Sequence, residues 1–121
     1  MLIRAIAAMY PPTTLQGVED PENPSRKGIP ALRIDKAQAL ACSPVLLVKP
    51  NSPPTLLVQG TLDPLVPIAY TEKFRDTLAK AGVPNKLIII QGGGHGFDSA
   101  GNFRMFEAMV KWFDKHLAPK P

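Results

Sequence analysis

Two short apolar runs, each closed by glycine, limit the folds open to this chain. Thr55-Leu56-Leu57-Val58-Gln59 stops at Gly60. Lys86-Leu87-Ile88-Ile89-Ile90 stops before Gln91 and three glycines. Apolar runs without alternation read as strands covered on both faces, the habit of parallel sheets. Between them, Ile68 to Ala81 puts Tyr70, Phe74, Leu78 and Ala81 on one helical face, with Glu72, Lys73, Arg75 and Asp76 elsewhere. Gly82 can cap that helix in the left-handed conformation, and Pro84 prevents continuation. Strand, helix, strand in this order predicts a parallel pair joined by a crossover, hence an α/β fold.

The flanking segments extend the same pattern. Ile3 to Tyr10 is apolar, ends at Pro11-Pro12, and reads as another buried strand. Thr13 to Pro30 is rich in proline, glycine and mixed charge and reads as loop. Ile34, Ala37 and Leu40 have helical spacing within Ile29 to Leu40. Ser43-Pro44 resembles a helix start, with serine as N-cap and proline first; Lys49-Pro50-Asn51-Ser52-Pro53-Pro54 would keep that helix short. After the last strand, Phe103, Phe106, Val110, Phe113 and Leu117 form an apolar stripe from Asn102 onward, with Trp112, Lys111 and Lys115 off its centre. Phe106 and Phe113 are expected in the core. His116 reads as a favourable residue at a helix C-terminus. The expected organisation is a single domain over residues 1–121. Residues 13–54 form an irregular proline-rich excursion, and residues 55–118 a strand-helix-strand-helix unit.

Composition excludes several function classes. A chain of 121 residues suits one small domain. Its net charge of +4 comes from scattered Lys and Arg, without the aromatic-basic interleaving of a single-strand binder. Nucleic acid is therefore not an expected partner. The single cysteine, Cys42, allows neither an intramolecular disulfide nor a cysteine zinc site, and reads as a small buried residue. The apolar stretch after Arg4 is too short for a signal peptide, and no run reaches membrane-spanning length. A cytoplasmic protein with no membrane partner is the default expectation.

Chemistry concentrates in the loops that follow the two glycine-closed strands. Asp63 lies in Gly60-Thr61-Leu62-Asp63-Pro64-Leu65-Val66-Pro67, and His95 in Gly92-Gly93-Gly94-His95-Gly96-Phe97. In open parallel sheets, ligands sit beyond the carboxyl ends of the strands. One helix and one strand separate the two residues, so a single crossover would set their loops side by side. A histidine serving as general base needs a fixed tautomer, which a buried carboxylate on Nδ1–H provides. Taken alone, each residue has a plainer reading: a turn aspartate and a solvated histidine. Gly92-Gly93-Gly94 is not a phosphate cradle, since no lysine follows at the required spacing.

With these residues in place, the chain from about Ser52 to Leu117 resembles the C-terminal part of α/β-hydrolases. It is similar to carboxylesterases, to BD-FAE-type feruloyl or acyl esterases, and to prolyl-oligopeptidase-like hydrolases. The likeness lies in Pro53 to Pro67, in Ala79-Lys80-Ala81-Gly82-Val83-Pro84, in Gly93-Gly94-His95-Gly96-Phe97 and in Val110-Lys111-Trp112-Phe113. It implies a three-layer fold with about three parallel strands and flanking helices. It also implies Asp63 as triad acid, His95 as triad base, and a carboxylic ester as small-molecule substrate. Leu65 and Val66 would sit behind the acid, and Phe97 beside the acyl or leaving-group pocket, as substrate-contacting positions. No metal and no organic cofactor is implied. Tyr10-Pro11-Pro12-Thr13-Thr14-Leu15 stands where such hydrolases often carry a turn after the preceding strand.

One departure bears on activity. The family order is Ser, Asp, His, yet no Gly-x-Ser-x-Gly turn occurs anywhere in the sequence. Ser25, Ser43, Ser52 and Ser99 stand in loop, cap or turn contexts, so the nucleophile is unknown. Three readings stay open. The chain is the C-terminal piece of a truncated or split serine esterase or lipase-type hydrolase, active only with an N-terminal piece; or a free-standing mini-esterase with a nucleophile improvised in an oligomer; or a non-catalytic remnant or interaction module. On any of them the strand Ile3–Tyr10 is an apolar edge, and a homodimer or domain-swapped oligomer is expected to cover it.

Overall fold

A computed structural model of the chain describes residues 2–23, 26–27 and 33–119. Three strands, β1 (Ile6–Met9), β2 (Thr55–Gly60) and β3 (Asn85–Ile90), form one sheet in the order β1-β2-β3. Both pairings are parallel, with Met9 opposite Val58 and Gly60 opposite Ile90. Among the described residues, the helices bounded at both ends are α1 (Lys36–Ala41), α2 (Ile68–Lys80) and α3 (Ser99–Leu117), with a 3₁₀ turn at Pro44–Leu46.

Side chains alternate across the central strand, as a pleat requires. Leu56 and Val58 join Ile90, Met105 and Trp112 beneath α3. Leu57 points the other way, to Leu78 and Val83 beneath α2. Leu56, Leu57 and Val58 are completely buried. Full burial of such a side chain stabilises by about 1.5–3 kcal/mol over leaving it exposed. These two cores make the three layers expected from the uninterrupted apolar run.

α2 ends as its sequence indicates. Gly82 has φ +74, its N–H donates to the Ala79 carbonyl at 3.0 Å, and the Val83 N–H reaches the Leu78 carbonyl at 3.0 Å. This paired closure needs a left-handed residue that glycine adopts without a Cβ penalty.

Elsewhere the structure departs from expectation. β1 is shorter than Ile3–Tyr10, and Leu2 and Ile3 are exposed. Its partner ladder begins at the Pro54 carbonyl, which accepts from the Ile6 N–H at 2.8 Å; Pro53 and Pro54 have no N–H to pair further. α1 starts only at Lys36, because Asp35 forms a capping box with Gln38. Its buried residue is Ala39 rather than Leu40, and residues 29–32 of the expected helix lie outside the described residues. Ser43 makes no cap bond to the 3₁₀ turn. Its fully buried hydroxyl instead donates to the Ala39 carbonyl at 2.7 Å and accepts from the Leu15 N–H at 2.8 Å, tying the excursion to α1. Cys42 is exposed, since it lies just past the end of α1 rather than on a packed face.

The largest correction concerns α3. It begins at Ser99, with the Asp98 carboxylate accepting from the Gly101 N–H at 2.7 Å. The face on the sheet carries Gly101, Met105 and Trp112. Phe103, Phe106 and Val110 of the expected core stripe point outward, 72%, 57% and 60% exposed. Phe113 does pack at the margin of the core. The helix is apolar on two faces, so periodicity cannot choose between them. Gly101 does: a Cβ there would lie 2.8 Å from Cβ of Phe97, so this side alone can approach the histidine loop closely. His116 lies in the last turn, its ring against Trp112 at 4.2 Å between centroids.

Candidate active site

Asp63 sits four residues past Gln59, where β2 opens into a turn stiffened by Pro64 and Pro67. Its side chain is completely buried. Four donors converge on the carboxylate. Oδ1 accepts the backbone N–H groups of Leu65 at 2.8 Å and Val66 at 2.9 Å. Oδ2 accepts Nε2–H of Gln59 at 2.9 Å and Nδ1–H of His95 at 3.0 Å. Burial pushes the carboxyl pKa up, but the bonds from Val66, His95, Leu65 and Gln59 outweigh it and hold Asp63 below its usual range. Ionised, it only accepts, so the nitrogen facing it must carry the proton.

His95 is presented at the tip of a tight glycine loop. Gly94 and Gly96 form a bridge around it, and Gly92 and Gly96 have φ of +72 and +125. About a third of the His95 side chain is exposed, at 35%. With Nδ1 turned to Asp63, Nε2 is the nitrogen left for proton transfer.

The two loops are locked together beneath the pair. The Leu62 N–H donates to the Gly93 carbonyl at 2.9 Å and the Thr61 N–H to the Ile90 carbonyl at 3.1 Å. The Gly92 N–H donates to Oγ1 of Thr61 at 2.8 Å. Gly60 makes this contact possible, because a Cβ on it would fall 2.2 Å from the Gly93 oxygen.

Tyr10 completes the wall. It follows β1 and holds φ +39, a conformation that an aromatic residue adopts rarely and at a cost. Its ring lies 4.6 Å from that of His95 and 5.4 Å, edge-on, from that of Phe97.

The structure thus brings Asp63 and His95 into direct hydrogen bonding. Leu65 and Val66 meet the Asp63 carboxylate through their backbone N–H groups, and Val66 is buried at 5% exposure. Phe97 is half-buried beside Tyr10 and the α3 core. Sequence reasoning missed Gln59, Tyr10 and the Gly60–Gly93 contact. The polar Gln59 at the end of an apolar strand was the available signal for the first. Of the serines, Ser43 is committed to internal bonds, Ser52 accepts from the Lys49 N–H at 2.9 Å, and Ser99 opens α3. Ser25 lies outside the described residues.

Residues 17–120 match the prolyl oligopeptidase family. The chain belongs to that family. Among sequence relatives of this family member, acylamino-acid-releasing enzyme 1 of Oryza sativa is 32% identical over 77 residues, 63% of this chain and 10% of the relative. The non-reducing polyketide synthase ausA of Emericella nidulans is 37% identical over 65 residues, 50% of this chain and 3% of that protein. Among solved structures, an acetyl ester-xyloside bifunctional hydrolase of Caldicellulosiruptor lactoaceticus superposes with TM-score 0.74 at 27% identity, over 93% of this chain and 42% of that one. A puromycin-hydrolyzing peptidase of Mycobacterium tuberculosis superposes with TM-score 0.77 at 23% identity, over 98% of this chain and 19% of that one. The fold is that of the α/β-hydrolases. This prolyl oligopeptidase family chain spans at most about a tenth of these sequence relatives and less than half of these structures. Among its described residues, no helix is long and apolar enough to cross a membrane.

Proposed function

We propose that this chain supplies the acid and base of a serine-hydrolase triad that cleaves carboxylic esters through an acyl-enzyme. The observation that carries the reading is the bond from Nδ1–H of His95 to Oδ2 of a wholly buried Asp63. Nε2 of His95 takes the proton of an attacking hydroxyl, then gives it to the departing alcohol as the acyl-enzyme forms. Water reverses the sequence and releases the acid. Asp63 stays ionised throughout, balancing the imidazolium. Phe97 contributes an apolar contact to the acyl or leaving group, with Leu65 and Val66 behind the acid. The chemistry requires no metal and no organic cofactor.

The nucleophile belongs, on this reading, to a segment outside these 121 residues. β1 offers the place for it. Ile6 and Tyr10 give their N–H groups to β2, at Pro54 and Val58, so the intervening Ala7 and Met9 turn their backbone polar groups to the other side. Among the described residues, that side of the three-stranded sheet is an edge. A complementing strand pairing there, or a second copy of this chain in a homodimer or domain-swapped form, removes the edge.

The test is hydrolysis of a short-chain p-nitrophenyl ester, with fluorophosphonate labelling mapped by mass spectrometry. It is run on the pure chain and on the chain co-expressed with any in-frame upstream Gly-x-Ser-x-Gly segment. Turnover that both His95→Ala and Asp63→Asn abolish supports the reading, and the labelled residue names the nucleophile. Turnover indifferent to both substitutions refutes it. Absence of turnover and label in both preparations leaves the non-catalytic interaction module as the function.

A further inference from the structure

β2 buries an amide where its neighbours bury hydrocarbon. Gln59 has no solvent exposure. A polar side chain is tolerated there only when its donors and acceptor are used. Both Nε2 hydrogens are: one goes to Oδ2 of Asp63 at 2.9 Å, the other to the Val66 carbonyl at 3.1 Å. Oε1 accepts from Oγ1 of Thr71 at 3.0 Å. Thr71 is itself fully buried, on the face of α2 turned to the sheet.

This network settles which way the amide faces. A flipped amide would set its oxygen against Oδ2 and the Val66 carbonyl, and its NH₂ against the hydroxyl. The Thr71 hydroxyl has one hydrogen and spends it on Oε1. The two acceptors set the flip, Thr71 anchors the amide through Oε1, and Gln59 donates to the carboxylate oxygen that also receives His95. Oδ1 is held separately by Leu65 and Val66. The last polar residue of the strand and a helix on one face of the sheet thus bear on a bond formed above the sheet.

We infer that Gln59, anchored by Thr71, is a positioning residue that fixes Oδ2 of Asp63 where Nδ1–H of His95 meets it. The inference rests on the proposed acid–base roles of Asp63 and His95 and deepens them. Gln59 touches neither substrate nor the reacting atoms; it acts through Asp63. A neutral amide suits the task because it donates without titrating. A purely structural Gln59 would serve only to satisfy the Val66 carbonyl and fill its volume.

The two roles separate in NMR of the isotope-labelled chain. Long-range proton–nitrogen correlations report which His95 nitrogen is protonated and how fast that proton exchanges. Carboxyl carbon shifts follow the titration of Asp63. Thr71→Val keeps the shape of the side chain and deletes the hydroxyl; Thr71→Ser keeps the hydroxyl. We expect Thr71→Val to speed exchange of the His95 Nδ1 proton by about tenfold or more and to raise the Asp63 titration. Thr71→Ser returns both toward wild type. Gln59→Leu gives the larger change if it folds, and the Thr71 pair decides the matter if it does not. Identical readouts in Thr71→Val and wild type overturn the inference. So does a Thr71→Ser variant that behaves like Thr71→Val, because packing is then the cause. None of these measurements needs an ester or a nucleophile. Absence of turnover and label both in the chain alone and in the chain with its nucleophile segment therefore refutes the proposed reaction without touching this result.

Discussion

Gly60→Ala tests the claim that close backbone approach, rather than sequence proximity, joins the Asp63 and His95 loops. The new Cβ would stand 2.2 Å from the Gly93 oxygen, 2.4 Å from its carbonyl carbon and 2.9 Å from the Gly94 oxygen. Ordinary van der Waals contact begins at 3.4 Å, so the loops must part by more than an ångström. All three obstructing atoms are backbone, and no side-chain rotation relieves them. The bond from Leu62 N–H to the Gly93 carbonyl, now 2.9 Å, cannot survive that displacement. Overpacking costs about 1–3 kcal/mol, and a lost backbone bond adds about 0.5–1.5 kcal/mol. We expect a loss of roughly 2–4 kcal/mol, a large part of the stability of a small domain. Urea unfolding followed by circular dichroism measures it, with a fall in midpoint of about 1–2 M at the slopes usual for small proteins. Gly94→Ala is the control: a Cβ there meets nothing within 4 Å, and its φ is not positive. It should stay within about 0.5 kcal/mol of wild type. Equal stability of Gly60→Ala and wild type would refute the reasoning, as would equal damage from Gly94→Ala.

Other expectations concern the helix face, acid stability and the sheet edge. Met105→Ala on α3 should cost about 2–5 kcal/mol, while its neighbour Phe106→Glu stays within about 0.5 kcal/mol; denaturation midpoints compare them directly. Because the Asp63 carboxyl is held below its ordinary value, its ionised form stabilises the fold fully above that value. That contribution disappears as pH falls through the lowered pKa. The stability difference between wild type and Asp63→Asn, read by urea unfolding, should therefore shrink from about pH 6 to about pH 2. A difference that holds constant or widens toward acid would contradict this. The edge of β1 should drive self-association at micromolar concentration, and light scattering after size exclusion showing a monomer would exclude it.

Much of the molecule was legible along the chain because local chemistry wrote it there. The apolar run Thr55 to Gln59 specified a strand buried on both faces, and Leu56 and Leu57 do face opposite cores. Gly82 marked the end of α2 because that closure needs a left-handed residue. Asp63 and His95 were legible as a pair because parallel topology delivers successive strand ends together. Where the competition was between equally apolar options, the sequence was silent. The outward stripe of Phe103, Phe106 and Val110 is as hydrophobic as the buried one. Only the fit of Gly101 against Phe97 decides which side meets the sheet.

The chain order of its residues, then, sets the element types, the parallel sheet and the nearness of Asp63 and His95. These follow from periodicity, turn chemistry and connection rules, all local in sequence. The tertiary structure decides what surrounds that pair. Asp63 is ionised in a buried site because four donors, three of them within four residues of it and one from a distant loop, meet there. Gln59 accepts from a hydroxyl of another layer, and Tyr10, strained at φ +39, sets its ring against His95 from the end of β1, across the sheet from β3. Such contacts join residues far apart in the chain, and only packing brings them within the few ångströms over which hydrogen bonds and ring contacts act.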